Sequence, residues 1–278
     1  MARTRSTFLG APPFGARLVA VAFATLLSDA PSPRVVPGTI APRTQLLFDS
    51  VARAYEIEIL PTTREFSVGT THGSITGSPA ADSALGTYAA LFAAEFSLYP
   101  PALIRRVGLE RVVCCEDLAF AGQNRGAVPD FEHDTLYLDV SRGAFSPDYL
   151  RRVIHHEFFH MVDFADDGVI YADPGWARLN SAEFRYGNGG KAAQGRSTSS
   201  ILTHNFPGFL DYYATTGVEE DKAEVFACLL AEPAYVEMRI QTDTVLGAKV
   251  NRMKELLARF CPDLDERFWE QVRARQRS

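Results

Sequence analysis

His156 and His160 stand one helical turn apart, with Glu157 beside the first of them, in the run Val153-Ile154-His155-His156-Glu157-Phe158-Phe159-His160-Met161-Val162-Asp163. This is an HExxH pattern. Residues four apart on a helix lie one above the other, so both imidazoles can grip one cation from a single rigid surface. Neutral imidazole suits zinc, and Glu157 is placed to handle the protons of a water that the metal activates. Zinc also needs a third protein ligand and a position left open for water. The stretch Tyr213-Ala214-Thr215-Thr216-Gly217-Val218-Glu219-Glu220-Asp221-Lys222-Ala223-Glu224-Val225-Phe226-Ala227 offers candidates. From Glu219 it reads as a helix with Ala223, Phe226, Ala227 and Leu230 on its apolar side. Glu220 and Glu224 share a face, so one can bind the metal while the other hydrogen-bonds a ligand histidine. Acidic first turns are also common in helices that bind nothing. An HExxH helix still short of a ligand favours the metal reading. Asp163 shares the face of His156 and His160 and is a further candidate to support them. His155 points about 100° away from His156 and is a poor ligand candidate. His133 and His204 are not needed for the metal and read as surface or core histidines.

Ser146-Pro147-Asp148 starts the first of these helices: serine caps free amides, proline is pre-set for the first turn, and aspartate suits the positive helix end. Leu150, Ile154, Phe158 and Met161 recur at helical spacing and form its core stripe. Upstream, alternation predicts a strand over Tyr55–Leu60, and a helix over Ala80–Tyr99 is stopped by Pro100-Pro101. A short helix over Ala102–Val107 and a strand over Arg111–Cys115 follow. The strand Leu136–Val140, just before the HExxH helix, reads as a core strand or, by likeness to zinc peptidases with such a helix, as one that edges the cleft and pairs with an extended substrate. Asp166–Asp211 is long for a connection, carries Gly187-Asn188-Gly189-Gly190, and suits a lid or binding wall, with Trp176 and Tyr186 lining a subsite or packing beneath it. Apolar spacing over Val245–Gln271 reads as closing helices.

The run His156–Asp163 resembles the HEFGHAVD of the catalytic domain of anthrax lethal factor, a gluzincin-type HExxH metallopeptidase. The spacing from Tyr213 to Glu220 to Glu224, followed by Phe226, is similar to the second motif of that group. The clostridial Pro-Pro endopeptidases and many secreted bacterial metallopeptidases share the same pairing. The resemblance spans roughly Ala80–Pro233 and rests on the two motifs. The chain between them does not match, so substrate choice is not carried over. The resemblance implies an α+β, zincin-like domain with a small mixed sheet, an HExxH helix and a second helix bearing the glutamate ligand. It implies one Zn²⁺ per chain on His156, His160 and Glu220, with Glu157 as general base acting on a protein or peptide substrate. Tyr213 would be the electrophilic helper, with Tyr212 the alternative after a local bend. Glu224, with Asp163, would support the ligands from behind.

The chain has 278 residues, 46% of them hydrophobic, which suits one catalytic domain with a sizeable core. A net charge of −6 without a long basic run gives no sign of a nucleic-acid partner. Arg3, Arg5 and Arg17 precede an apolar run over Leu18–Leu27, and Ser28-Asp29-Ala30 offers small residues for cleavage. Residues 1–30 therefore read as an export leader, 31–40 as a proline-bearing linker, and 41–278 as the metallopeptidase domain, with the core over 80–233 and closing helices over 245–275. The apolar run is shorter than the ~20 residues that span a membrane, so stable insertion is not expected. Export would place the mature chain outside the cell or in its envelope. There Cys114, Cys115, Cys228 and Cys261 could form two disulfides, or they are buried thiols. The leading function is a secreted zinc endopeptidase. The alternatives are a zinc amidase acting on cell-wall peptides and a non-catalytic binding protein. Glu157 argues against the last, since binding alone needs no general base. Oligomeric state is not legible from the sequence.

Overall fold

A computed structural model of the chain describes residues 40–190 and 200–275. The leader and residues 31–39 of the linker lie outside them. The first element is a helix, α1 (Pro42–Tyr55), opened by its proline and ended by Glu56 in the left-handed region, φ 58°. Tyr55 therefore belongs to a helix, not to the strand expected over Tyr55–Leu60. Its hydroxyl donates to the carbonyls of Phe96 and Tyr99, tying α1 to the next helix. The strand β1 is shorter, Glu58–Pro61. A hairpin of β2 (Phe66–Thr70) and β3 (Gly73–Ser78) follows, then α2 (Asp82–Phe96) and α3 (Pro101–Val107).

The spine of the sheet is β4 (Arg111–Phe120), twice the length its apolar run predicts. Its first half pairs in parallel with β1 and with β7 (Thr135–Asp139). Its second half pairs antiparallel with β3 and with the two-residue β5 (Gln123–Asn124). The remaining strand, β6 (Ala127–Asp130), pairs antiparallel with β7 on the side away from β4. The sheet is thus small and mixed, as expected. The strand before the HExxH helix is not its edge, however: β7 has neighbours on both sides, and β6 is the outer strand. All five residues of β7 are buried. Leu136 and Leu138 pack among the helices, whereas Tyr137 packs with Val113, Cys115, Val68 and Ile75 under the hairpin. Alternation along β7 divides two cores rather than core from solvent.

The HExxH helix is α4 (Pro147–Asp167), capped by Ser146, whose hydroxyl accepts from the amide of Tyr149. Gly168 ends it at φ 76°. After α5 (Pro174–Ala177) and a 3₁₀ turn at Tyr213–Thr215 comes α6 (Val218–Ala231), in which all 14 residues are buried. It lies against α4, and α7 (Pro233–Ile240), α8 (Thr244–Phe260) and α9 (Glu266–Ala274) close the structure behind it. Asp243 and Asp265 cap α8 and α9. Among the described residues no helix is long and apolar enough to cross a membrane.

Candidate metal centre

Two helices supply the site. On α4, His156 and His160 face the start of α6, where Glu220 reaches back to them. His156 Nε2 lies 3.0 Å from Glu220 Oε2 and 3.2 Å from His160 Nε2, and His160 Nε2 lies 3.6 Å from Glu220 Oε2. Three donors on a tetrahedral zinc with bonds near 2.0–2.1 Å would stand about 3.3 Å apart. The observed triangle has that size, and two imidazoles with one carboxylate make a common zinc donor set. Burial opposes charge on Glu220, but hydrogen bonds with His156 and His160 outweigh it and hold the carboxyl well below the usual carboxylate range. An ionised carboxylate this deep demands positive charge beside it, and a cation held by all three residues would supply it.

Glu224, one turn further along α6, places Oε1 2.9 Å from His156 Nδ1, so this imidazole has a carboxylate at each edge. Burial disfavours the charged imidazole, yet the hydrogen bonds to Glu220 and Glu224 raise the pKa of His156 well above its ordinary value. Arg152 stands 3.9 Å behind Glu224. Asp163, expected to support a ligand, instead bonds Lys222 Nζ. His160 Nδ1 is buried with no hydrogen-bond partner among the described residues.

Glu157 is half-buried and opens onto a cavity of about 660 Å³ shared with His160, Tyr213 and Glu220. Burial raises its pKa, partly offset by the imidazoles of His156 and His160. Tyr213 donates from its hydroxyl to Glu220 Oε1 at 3.0 Å, while the neighbouring Tyr212 packs on Phe206. Burial first, and then Glu220, push the Tyr213 phenol well above its normal pKa, so it stays protonated and able to donate. Across the cavity run β6, with Ala127, Val128 and Pro129, and the segment Gly187–Gly190. That segment is fastened to the 3₁₀ turn: the amides of Gly187 and Gly189 donate to the carbonyls of Thr215 and Thr216. Gly190 passes so close that a Cβ there would collide with Glu220 Oε1 and the Tyr213 hydroxyl.

Sequence reasoning missed the charge network beneath this wall. Asp221 is fully buried and its Oδ2 accepts from Trp176 Nε1 at 2.8 Å, the Tyr186 hydroxyl at 2.6 Å and Lys249 Nζ at 2.7 Å. Lys249, itself fully buried, also donates to the Gly208 carbonyl and lies 3.6 Å from the ring centre of Phe209. One signal was available: Lys249 falls at helical spacing within the apolar stripe Leu246, Val250, Met253. A lysine on the buried face of a helix needs an interior partner. Trp176 packs beneath the loop, and only Tyr186 reaches the cavity. His155, set aside as a ligand, is buried between Tyr99 and Glu95. The four cysteines are buried free thiols, not disulfides.

No family model matches the chain, and no curated protein does. Among solved structures it is similar to the crystal structure of a "putative zinc-binding metallo-peptidase" from Bacteroides caccae, with a TM-score of 0.53 and 18% identity. The match covers 84% of this chain and 92% of that one. At that identity the likeness is one of fold. The chain has an α+β fold with a small mixed sheet, shared with that neighbour and as its sequence predicts.

Proposed function

We propose that this chain is a zinc-dependent endopeptidase. The observation that carries the reading is the convergence of His156, His160 and Glu220 at zinc-sized spacing, with His160 and Glu220 on the same cavity as Glu157. His156, His160 and Glu220 would hold one Zn²⁺. When bound, zinc lowers the pKa of a coordinated water and polarises the substrate carbonyl. Glu157, held with a raised pKa at the cavity wall, takes the proton of the attacking water and delivers it to the leaving amine. Tyr213 turns its phenolic proton from Glu220 towards the oxygen on which charge develops. Glu224 fixes the orientation of His156. The outer strand β6 offers main-chain groups to an extended peptide, with Pro129 tolerated because the strand is an edge. The same reading takes the site to be of the lethal-factor type and the chain to be exported through its arginine-bearing leader.

The test is zinc analysis with digestion of a broad peptide library. About one zinc per chain is expected, with cleavage of internal peptide bonds that Glu157→Gln reduces by about 10²–10⁴-fold while zinc is retained. Cleavage of cell-wall peptides alone would point to the amidase. Zinc binding without any hydrolysis would leave a binding protein.

A further inference from the structure

The cavity contains a carboxylate that the reaction does not use. Glu219 precedes Glu220 at the start of α6 and is 8% exposed. It lines the cavity with His160, Glu220, Ile170, Tyr171 and Val218. No lysine or arginine among the described residues forms an ion pair with it. The Glu219 carboxylate folds back over the start of its own helix, where a Cβ at Gly217 would collide with it, and Gly189 lies at contact distance from Oε1. The surroundings carry more negative than positive charge. With Glu220 committed to the proposed zinc, Glu132, Asp130 and Glu157 line the same cavity, against Arg125 as its one guanidinium among the described residues. Asp130 is engaged by His133 and Glu132 by the amide of Thr71, whereas Glu219 has its own backbone amide and no cationic partner among the described residues.

We infer that Glu219 is a specificity-determining residue that binds a cationic group of the substrate next to the scissile bond. A lysine or arginine side chain fits the setting. Its aliphatic stem can lie along Ile170, Val218 and Tyr171, with its charged head at the carboxylate. A free amino terminus carries the same ammonium chemistry. The inference rests on the peptidase reading and deepens it.

The test uses zinc-loaded full-length protein and peptides blocked at both ends, with Lys, Arg, norleucine or Glu at each position flanking the scissile bond. The Lys and Arg peptides should be cleaved with kcat/KM roughly 10–100-fold above norleucine at one flanking position, the worth of a hydrogen bond to a charged partner. Glu219→Gln should collapse that ratio towards one, and Glu219→Lys should shift preference to the Glu peptide. Neutral peptides with free and acetylated amino termini show whether the bound cation is a side chain or the terminus. Anisotropy with zinc-loaded Glu157→Gln reads the same preference as binding, without turnover. Equal handling of Lys, norleucine and Glu peptides, free or blocked, overturns the inference. So does a basic preference that survives in a folded, zinc-bearing Glu219→Gln. Failure to cleave any peptide in the library strikes instead at the peptidase reading, and the anisotropy result then stands by itself on the cation.

Discussion

Each side chain at the centre has a partner that defines what it can do. Tyr213 points its hydroxyl at Glu220, whereas Tyr212 packs on Phe206. Tyr213→Phe should therefore lower kcat by about 10²–10³-fold, the usual effect of removing an oxyanion donor. Zinc content should stay unchanged and Tyr212→Phe should remain active. The reverse outcome would transfer the role to Tyr212. Glu224 lies against His156 Nδ1, and in the proposed reading it acts through that imidazole rather than through substrate. Loss of such a carboxylate typically weakens metal binding 10–100-fold. Glu224→Gln should show that loss in competition with a chromophoric chelator, and its activity should return at saturating zinc. Unaltered zinc affinity would mean that the contact orients nothing.

At the scale of elements, the places of Glu220 and Glu224 depend on α6, and α6 depends on charges buried around it. Asp221 joins the helix to Trp176 and Tyr186 of the preceding segment and to Lys249 of α8. Burial raises the pKa of Asp221 and lowers that of Lys249, so both shifts record the cost of holding charge there. Removing one partner leaves the other charge stranded. Lys249→Met should destabilise by about 3–5 kcal/mol in urea unfolding. A second change, Asp221→Asn, should recover part of that loss. A Lys249→Met variant as stable as the wild type would show that the pair is not held as a pair. Most of the HExxH helix was legible beforehand because its signals are local: a serine cap, a proline at the first turn and a regular apolar stripe. The β2–β3 hairpin and β6 were not, since their strands are short and take their register from β4 and β7.

Across the whole molecule, metal binding and thiol burial give separate tests. Zinc held only by the folded chain adds to stability by mass action. Chelation should therefore lower Tm, and stoichiometric zinc should restore it. A Tm indifferent to chelator would mean that the three donors hold no ion. The thiols of Cys114, Cys115, Cys228 and Cys261 are buried, and burial pushes that of Cys114 up to about 12. All four should resist alkylation in the native protein and react once it is unfolded in denaturant without reductant. Persistent protection in denaturant would indicate disulfides.

The sequence alone determined the chemistry of α4. Two histidines four residues apart share a face in any helix, with the glutamate beside them, whatever surrounds it. It also placed Glu220 and Glu224 on one side of a second helix. The separate places of the two carboxylates were decided only by tertiary structure. The angle and depth at which α6 meets α4 put Glu220 on His156 Nε2 and Glu224 on Nδ1. Neither spacing within a helix nor composition encodes that approach. The same packing turned Asp163 to Lys222, made β6 rather than β7 the free edge, and enclosed Glu219 in the cavity. These contacts join residues far apart in the chain, and they exist only where packed elements bring the residues together.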